Sequence, residues 1–178
     1  ENGEVLASSF KNALKNNDFK ILFQPIISLR GEETERYEIF LRMNVDGEEI
    51  SPSSFLSTAE DLGLSKKIDR WVILESIKNL QRTTQKTQHF INLTAASIQD
   101  ETLIPWLKVA LDAANIEASS LVLQAKEADI IQQLTTVKNF IDIADKIGIA
   151  FCITNFGSAA IDPLGTLEHI NSVHIKID

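Results

Sequence analysis

Short runs of branched and aromatic residues alternate along this chain with longer stretches in which apolar residues fall at helical spacing, and that alternation decides the fold class. Phe19 to Leu29, Glu35 to Met43, His89 to Thr94, Leu121 to Ala125, Ile149 to Thr154 and Ser172 to Ile177 read as strands. Helices are expected near Ser53 to Glu60, from Ser65 to Arg82 and from Glu101 to Asn115, with Ser51-Pro52 starting the first and Asp100 capping the last. The clearest helical pattern is Ile130, Leu134, Val137, Ile141 and Ala144, with Gly148 placed to end it. Phe10 to Asn17 reads as the end of a lead-in helix over residues 1–17, Gly31 as a turn, and the segment around Gly47 as an acidic loop.

Apolar strands separated by amphipathic helices indicate βα units on a parallel sheet buried on both faces. About six strands are expected, whereas a closed (β/α)₈ barrel has eight and takes roughly 250 residues. The 178 residues, 44% of them hydrophobic, predict a single domain over 1–178, an α/β barrel-type fold truncated to about its first six strands. On this reading the chain is a fragment, with sheet edge and apolar surface left uncovered.

A net charge of -8 argues against non-specific nucleic-acid binding, which needs lysine and arginine in excess. An anionic ligand must be held by a few local cations and backbone donors. No apolar run is long enough for a membrane span, the start lacks a signal peptide's pattern, and the single Cys152 reads as a buried strand thiol; a cytoplasmic location is expected. His89, His169 and His174 show no metal-ligand spacing and read as structural or surface residues, and Trp71 and Trp106 read as core.

Six motifs carry further information. They are Phe23-Gln24-Pro25-Ile26, Tyr37-Glu38-Ile39-Phe40-Leu41-Arg42, Phe90-Ile91-Asn92-Leu93-Thr94, Gln124-Ala125-Lys126-Glu127, Thr154-Asn155-Phe156-Gly157 and Ile175-Lys176-Ile177-Asp178. In order and spacing they resemble the EAL family of cyclic di-GMP phosphodiesterases. Phe23 to Leu29, Lys67 to Leu74 and Leu103 to Leu107 are similar to the FimX subgroup, degenerate EAL domains that bind cyclic di-GMP without efficient hydrolysis and act on type IV pilus machinery.

The resemblance implies that the counterparts of Glu38, Asn92, Gln124, Thr154 and Asn155 form most of a divalent-metal cage in active enzymes. It implies that the counterpart of Lys176 orients the attacking water, and that Glu127 orders the loop after the next strand. Gln124, Thr154 and Asn155 are neutral here, where the family pattern has carboxylates. At 4 Å and an effective dielectric near 20, each carboxylate facing a dication supplies on the order of 8 kcal/mol of gross attraction. Losing three leaves no magnesium or manganese pair expected, no cofactor and no catalytic residue, with Glu38, Asn92, Lys176 and Glu127 vestigial.

For the ligand, Arg42 is expected to contact phosphate, Gln24 and Asp69 to meet guanine edges, and Phe40 and Leu41 to contact a base. Bland readings stand beside these: a surface salt bridge for Arg42, a first-turn acid favoured by the helix dipole for Asp69, and plain core for Phe40 and Leu41. The expected function is a catalytically inactive cyclic di-GMP receptor regulating type IV pili and twitching motility. The alternatives are a protein-interaction module that has lost the ligand and a weak residual phosphodiesterase. Expected partners are cyclic di-GMP, a PilZ-type adaptor or pilus ATPase, and GGDEF or sensor domains N-terminal in the full protein.

Overall fold

The computed structural model describes residues 2–16, 18–45, 47–170 and 173–177. The elements run α1 (Asn2–Asn16), β1 (Phe19–Pro25), β2 (Glu35–Val45), β3 (Glu48–Ile50), a 3-10 turn at Pro52–Ser54, α2 (Leu56–Asp61), α3 (Ser65–Leu80) and β4 (Thr87–Asn92). They continue with α4 (Ala95–Ile98), α5 (Leu103–Ala114), a 3-10 turn at Ala118–Ser120, β5 (Leu121–Lys126), α6 (Glu127–Ile131), α7 (Leu134–Lys146), β6 (Ala150–Thr154), α8 (Pro163–Glu168) and β7 (Val173–Ile175).

The sheet follows the order β1-β2-β4-β5-β6-β7, with β3 paired to β2. From β2 to β7 along that path the strands are parallel, as the alternation predicts. β1 corrects the all-parallel expectation. It pairs antiparallel with β2, Gln24 opposite Glu38 and Lys20 opposite Arg42, because a short turn containing Gly31 joins them where a parallel pair would need a crossover helix. β3 is the seventh strand. The segment around Gly47 folds back on the end of β2 as a short hairpin, Gly47 taking the φ of 85° that the turn requires.

Two further expectations are revised. The apolar pattern from Ile130 to Ala144 is two helices, α6 and α7, broken at Gln132–Gln133, where Gln133 leaves helical backbone at φ -148° and ψ 45°. Asp100 sits ahead of α5 instead of capping it directly: its carboxylate accepts from the Thr102 amide and hydroxyl, and Thr102 is the residue at the helix start. The expected start of the last strand at Ser172, and Asp178 of the final motif, lie outside the described residues.

The core lies between the sheet and its helices. Ile39 and Met43 of β2 and Ile91 of β4 pack there with Phe10, Phe55, Ile68 and Ile73, and Leu123, Phe151 and Ile153 pack with Leu107, Val137, Phe140 and Ile141. β5 is buried along Leu121 to Ala125, so both faces of the sheet are covered at its centre. Burying an aliphatic or aromatic side chain stabilises by about 1.5–3 kcal/mol, and this layer fixes the strand register. Register in turn aims the polar side chains on the opposite face. Trp71 and Trp106 are half-buried against the core, Trp106 beneath the Arg70 guanidinium at 4.7 Å. His89 is buried, its Nδ1 2.6 Å from Ser76 Oγ, and Cys152 is buried with a thiol pushed up to about 11 by desolvation. No helix among the described residues is long and apolar enough to cross a membrane.

Candidate ligand-binding site

Side chains alternate across a strand, so the residues on the face opposite the core can be read from the register. Gln24, Glu38, Phe40 and Arg42 share that face on β1 and β2. Asn92, Gln124 and Cys152 continue it across β4, β5 and β6, as do Lys126 and Thr154 at the strand ends. A cleft of about 680 Å³ opens over it, lined by Glu38, Phe40, Leu41, Arg42, Asp69, Asn92, Lys126, Thr154, Asn155 and Lys176, and walled by residues between Ser51 and Glu60. Asn92 and Thr154 are the last residues of their strands, the carboxyl-end location where barrels of this kind build their sites.

The centre of the face is one connected network. The Gln124 side-chain nitrogen donates to Glu38 Oε1 and to Asn92 Oδ1, both at 2.9 Å. Lys176 Nζ donates to Glu38 Oε2 at 2.5 Å. Glu38 and Gln124 are buried, whereas Asn92 is exposed to the cleft. Glu38 is the one carboxylate in this group, and the described residues contain no cluster of three or more histidine, cysteine or acidic side chains able to hold a metal.

Arg42 stands at the side of the cleft. It packs 6.0 Å from the Phe40 ring, donates to its neighbour's Leu41 carbonyl at 2.8 Å and lies 3.4 Å from Glu49 of β3. Such partly exposed ion pairs contribute at most about 1 kcal/mol, less than the roughly 1.5–3 kcal/mol of a charge-assisted bond to phosphate, so a phosphate can displace Glu49. Leu41 is buried and Phe40 half-buried, both lining the cleft. Gln24 lies on the same face, beside the cleft. It sits opposite Glu38 on an edge strand, exposed, and does not line the cleft, because no strand lies beyond β1 in the described sheet to wall it in.

Asp69 is the fifth residue of α3, so the first-turn reading is also corrected. Its Oδ2 accepts from the Thr94 amide at 2.9 Å, the Thr94 hydroxyl at 2.8 Å and the Ser97 hydroxyl at 2.6 Å. It fastens α3 to the β4–α4 junction at the cleft wall. Burial raises its pKa despite those three donors.

Glu127 opens α6, fully buried, and accepts from the amides of Gly157 (3.1 Å), Ala159 (2.8 Å) and Ala160 (3.1 Å). Desolvation raises its pKa, but the backbone donors of the 157–160 loop outweigh it and hold the carboxylate below its ordinary range. The loop that begins at Asn155 is thus tied to the end of β5.

Two residues escaped the sequence reading. Lys126 lines the cleft two positions beyond Gln124 and forms no ion pair among the described residues; its strand period was the available signal. Glu49, the partner of Arg42, lay in a segment read as loop.

The EAL domain model matches residues 7–178. The chain belongs to the EAL domain family. Among solved structures it is similar to the FimX EAL domain from Pseudomonas aeruginosa bound to c-di-GMP, with a TM-score of 0.92 and 42% identity over 97% of this chain and 71% of that one. It is also similar to the Xanthomonas citri FimX EAL domain in complex with c-di-GMP, with a TM-score of 0.89 and 27% identity over 99% of this chain and 70% of that one. Among curated relatives, the cyclic di-GMP phosphodiesterase PdeF of Escherichia coli is 28% identical over 98% of this chain. A 76.5 kDa Thiocystis violacea protein is 30% identical over 85% of the chain. The chain spans 22–23% of the length of these two relatives.

Proposed function

We propose that this EAL domain is a cyclic di-GMP receptor that grips the dinucleotide without hydrolysing it and without a metal. The observation that carries this is the Gln124 amide. Its hydrogens point at the Glu38 and Asn92 oxygens, where a divalent cation would need free lone pairs, and a two-metal hydrolysis needs several carboxylates where this centre has one among the described residues. The cleft keeps what binding alone requires. Arg42 and Lys126 supply positive charge for phosphates, and Phe40, half-buried on the cleft face, supplies an apolar surface for a base, with Leu41 in the core behind it. Asp69, engaged with Thr94 and Ser97, shapes the wall.

The 42% identity with the Pseudomonas aeruginosa FimX domain supports a place in the control of type IV pili and twitching motility, through a PilZ-type adaptor or pilus ATPase. In that role the domain works in the cytoplasm, downstream of N-terminal sensor or GGDEF domains.

Isothermal titration calorimetry with cyclic di-GMP, with and without EDTA, tests the reading. Micromolar or tighter binding that survives EDTA is expected, with no linear dinucleotide formed in magnesium or manganese. Arg42→Ala should weaken binding at least tenfold, about 1.4 kcal/mol. Binding that EDTA abolishes, or steady metal-dependent cleavage, would indicate a phosphodiesterase. No binding at all would leave a protein-interaction module.

A further inference from the structure

A buried primary amide is tolerated when its hydrogens have partners, and Gln124, 1% exposed, places them with care. One nitrogen reaches Glu38 Oε1 and Asn92 Oδ1 at the same 2.9 Å, from two strands on one side of β5. The second Glu38 oxygen is taken by the Lys176 ammonium at 2.5 Å, arriving from beyond β7 on the other side. Both Glu38 oxygens and the Asn92 oxygen therefore face hydrogens carried by the chain itself. Among the described residues no buried side-chain nitrogen or oxygen lacks a partner.

We propose that Gln124 is a positioning residue that plugs this centre, its amide and the Lys176 ammonium together holding Glu38 and Asn92 as a bound cation would. The centre is then complete and rigid before any ligand arrives, and it refuses a divalent ion because the plug presents positive hydrogens at the point where the cation would stand. Three strands and the segment after β7 are joined through one amide and one ammonium. It rests on the metal-free reading of these same Gln124 contacts, and it holds whatever ligand the cleft takes.

The test compares the wild-type chain with Gln124→Glu and Gln124→Met, using manganese(II) alone as the probe. Electron paramagnetic resonance follows free manganese, and thermal unfolding is read with manganese chloride and with EDTA. The wild type should leave manganese free and unfold at the same temperature in both. Gln124→Glu sets a second carboxylate against Glu38, so its Tm in EDTA should fall by about 5 °C or more. Manganese should then restore at least half of that loss and the free-ion signal should drop by about one equivalent, the new oxygens accepting the cation. Gln124→Met, which has neither donor nor charge, should lose stability that manganese does not return. Stoichiometric uptake of manganese by the wild type would overturn the proposal. So would a Gln124→Glu chain that unfolds with the wild type, or one that manganese fails to stabilise. Manganese uptake by the wild type would also remove the metal-free part of the proposed function, whereas binding of cyclic di-GMP is read separately by calorimetry, since no dinucleotide enters this experiment.

Discussion

Charge at single residues sets how the cleft meets an anion. Lys176 is neutralised by Glu38 and Arg42 is shared with Glu49, which leaves Lys126 as the cleft-lining cation with no ion pair among the described residues. On the proposed function, Lys126→Glu should weaken cyclic di-GMP binding about tenfold in low salt, with the difference shrinking as salt rises and Lys126→Arg restoring affinity; calorimetry at two ionic strengths reads it. A second residue reports through pH. His89 is 1% exposed and desolvation pushes its pKa down to about 4, so the unfolded chain, titrating near 6.5, binds the extra proton first. Stability is therefore full above about pH 6.5 and falls as pH drops towards 4, by about 2 kcal/mol between pH 7 and pH 5. Urea unfolding at the two pH values checks the slope, which His89→Gln should flatten. The grouping of the candidate cleft was legible one residue at a time, since motif order picks out Glu38, Arg42, Asn92, Gln124, Thr154 and Lys176, and the structure brings them to one face. What could not be read was pairing. Nothing in the local sequence of Gln124 tells that its amide will meet Glu38, 86 positions away.

Elements were read where their apolar period was unbroken and misread where two elements shared one period. The break between α6 and α7 is invisible in sequence, because Ile130, Leu134 and Val137 keep helical spacing through a kink made by the backbone of Gln133. Its cause lies outside the period: α6 is placed by Glu127, whose carboxylate must stay beside the amides of 157–160, whereas α7 follows the core beneath β6. β1 was legible as a strand but not in direction, since direction follows from the connection and not from the strand's own residues. The Glu127 tether makes an element-scale prediction. Glu127→Ala should speed amide hydrogen exchange at Gly157, Ala159 and Ala160 by at least tenfold while β4 and β5 keep their protection, and should cost about 1–3 kcal/mol of global stability. Because the Glu127 pKa is held below its usual value, its charged contribution is fully present above about pH 4.5 and is lost as pH falls through the depressed folded value, so the exchange difference between wild type and Glu127→Ala should shrink on that acidification.

At the scale of the molecule the sheet is open, and its two ends carry apolar side chains with nothing over them among the described residues. β1 and the residues after it expose Phe23, Ile26 and Ile27, the last at 76%, and the other end exposes Ile175 and Ile177. Backbone donors and acceptors along the outer side of β1 face the same way, and an unpaired edge of this kind is a template for another strand. Lys20 blunts only the start of β1, where it pairs with Glu49; from Leu22 to Leu29 the edge carries no charge. The two ends compete for the same outcome, because either can be covered by the matching end of a second copy, and burying roughly 400 Å² of apolar surface there is worth about 10 kcal/mol before association entropy is subtracted. The 178 residues alone should therefore self-associate in the micromolar range. Sedimentation velocity over a tenfold dilution should show the weight-average coefficient falling towards that of a 19.8 kDa monomer. Phe23→Lys with Ile27→Lys should shift that equilibrium towards monomer at least tenfold without disturbing the cleft, since neither residue lines it. A chain that stays monomeric at every concentration would mean that the exposed edge is protected by its own twist and by the packing of Phe23 on Tyr37 and His89, whose rings it meets at 6.2 Å and 5.4 Å.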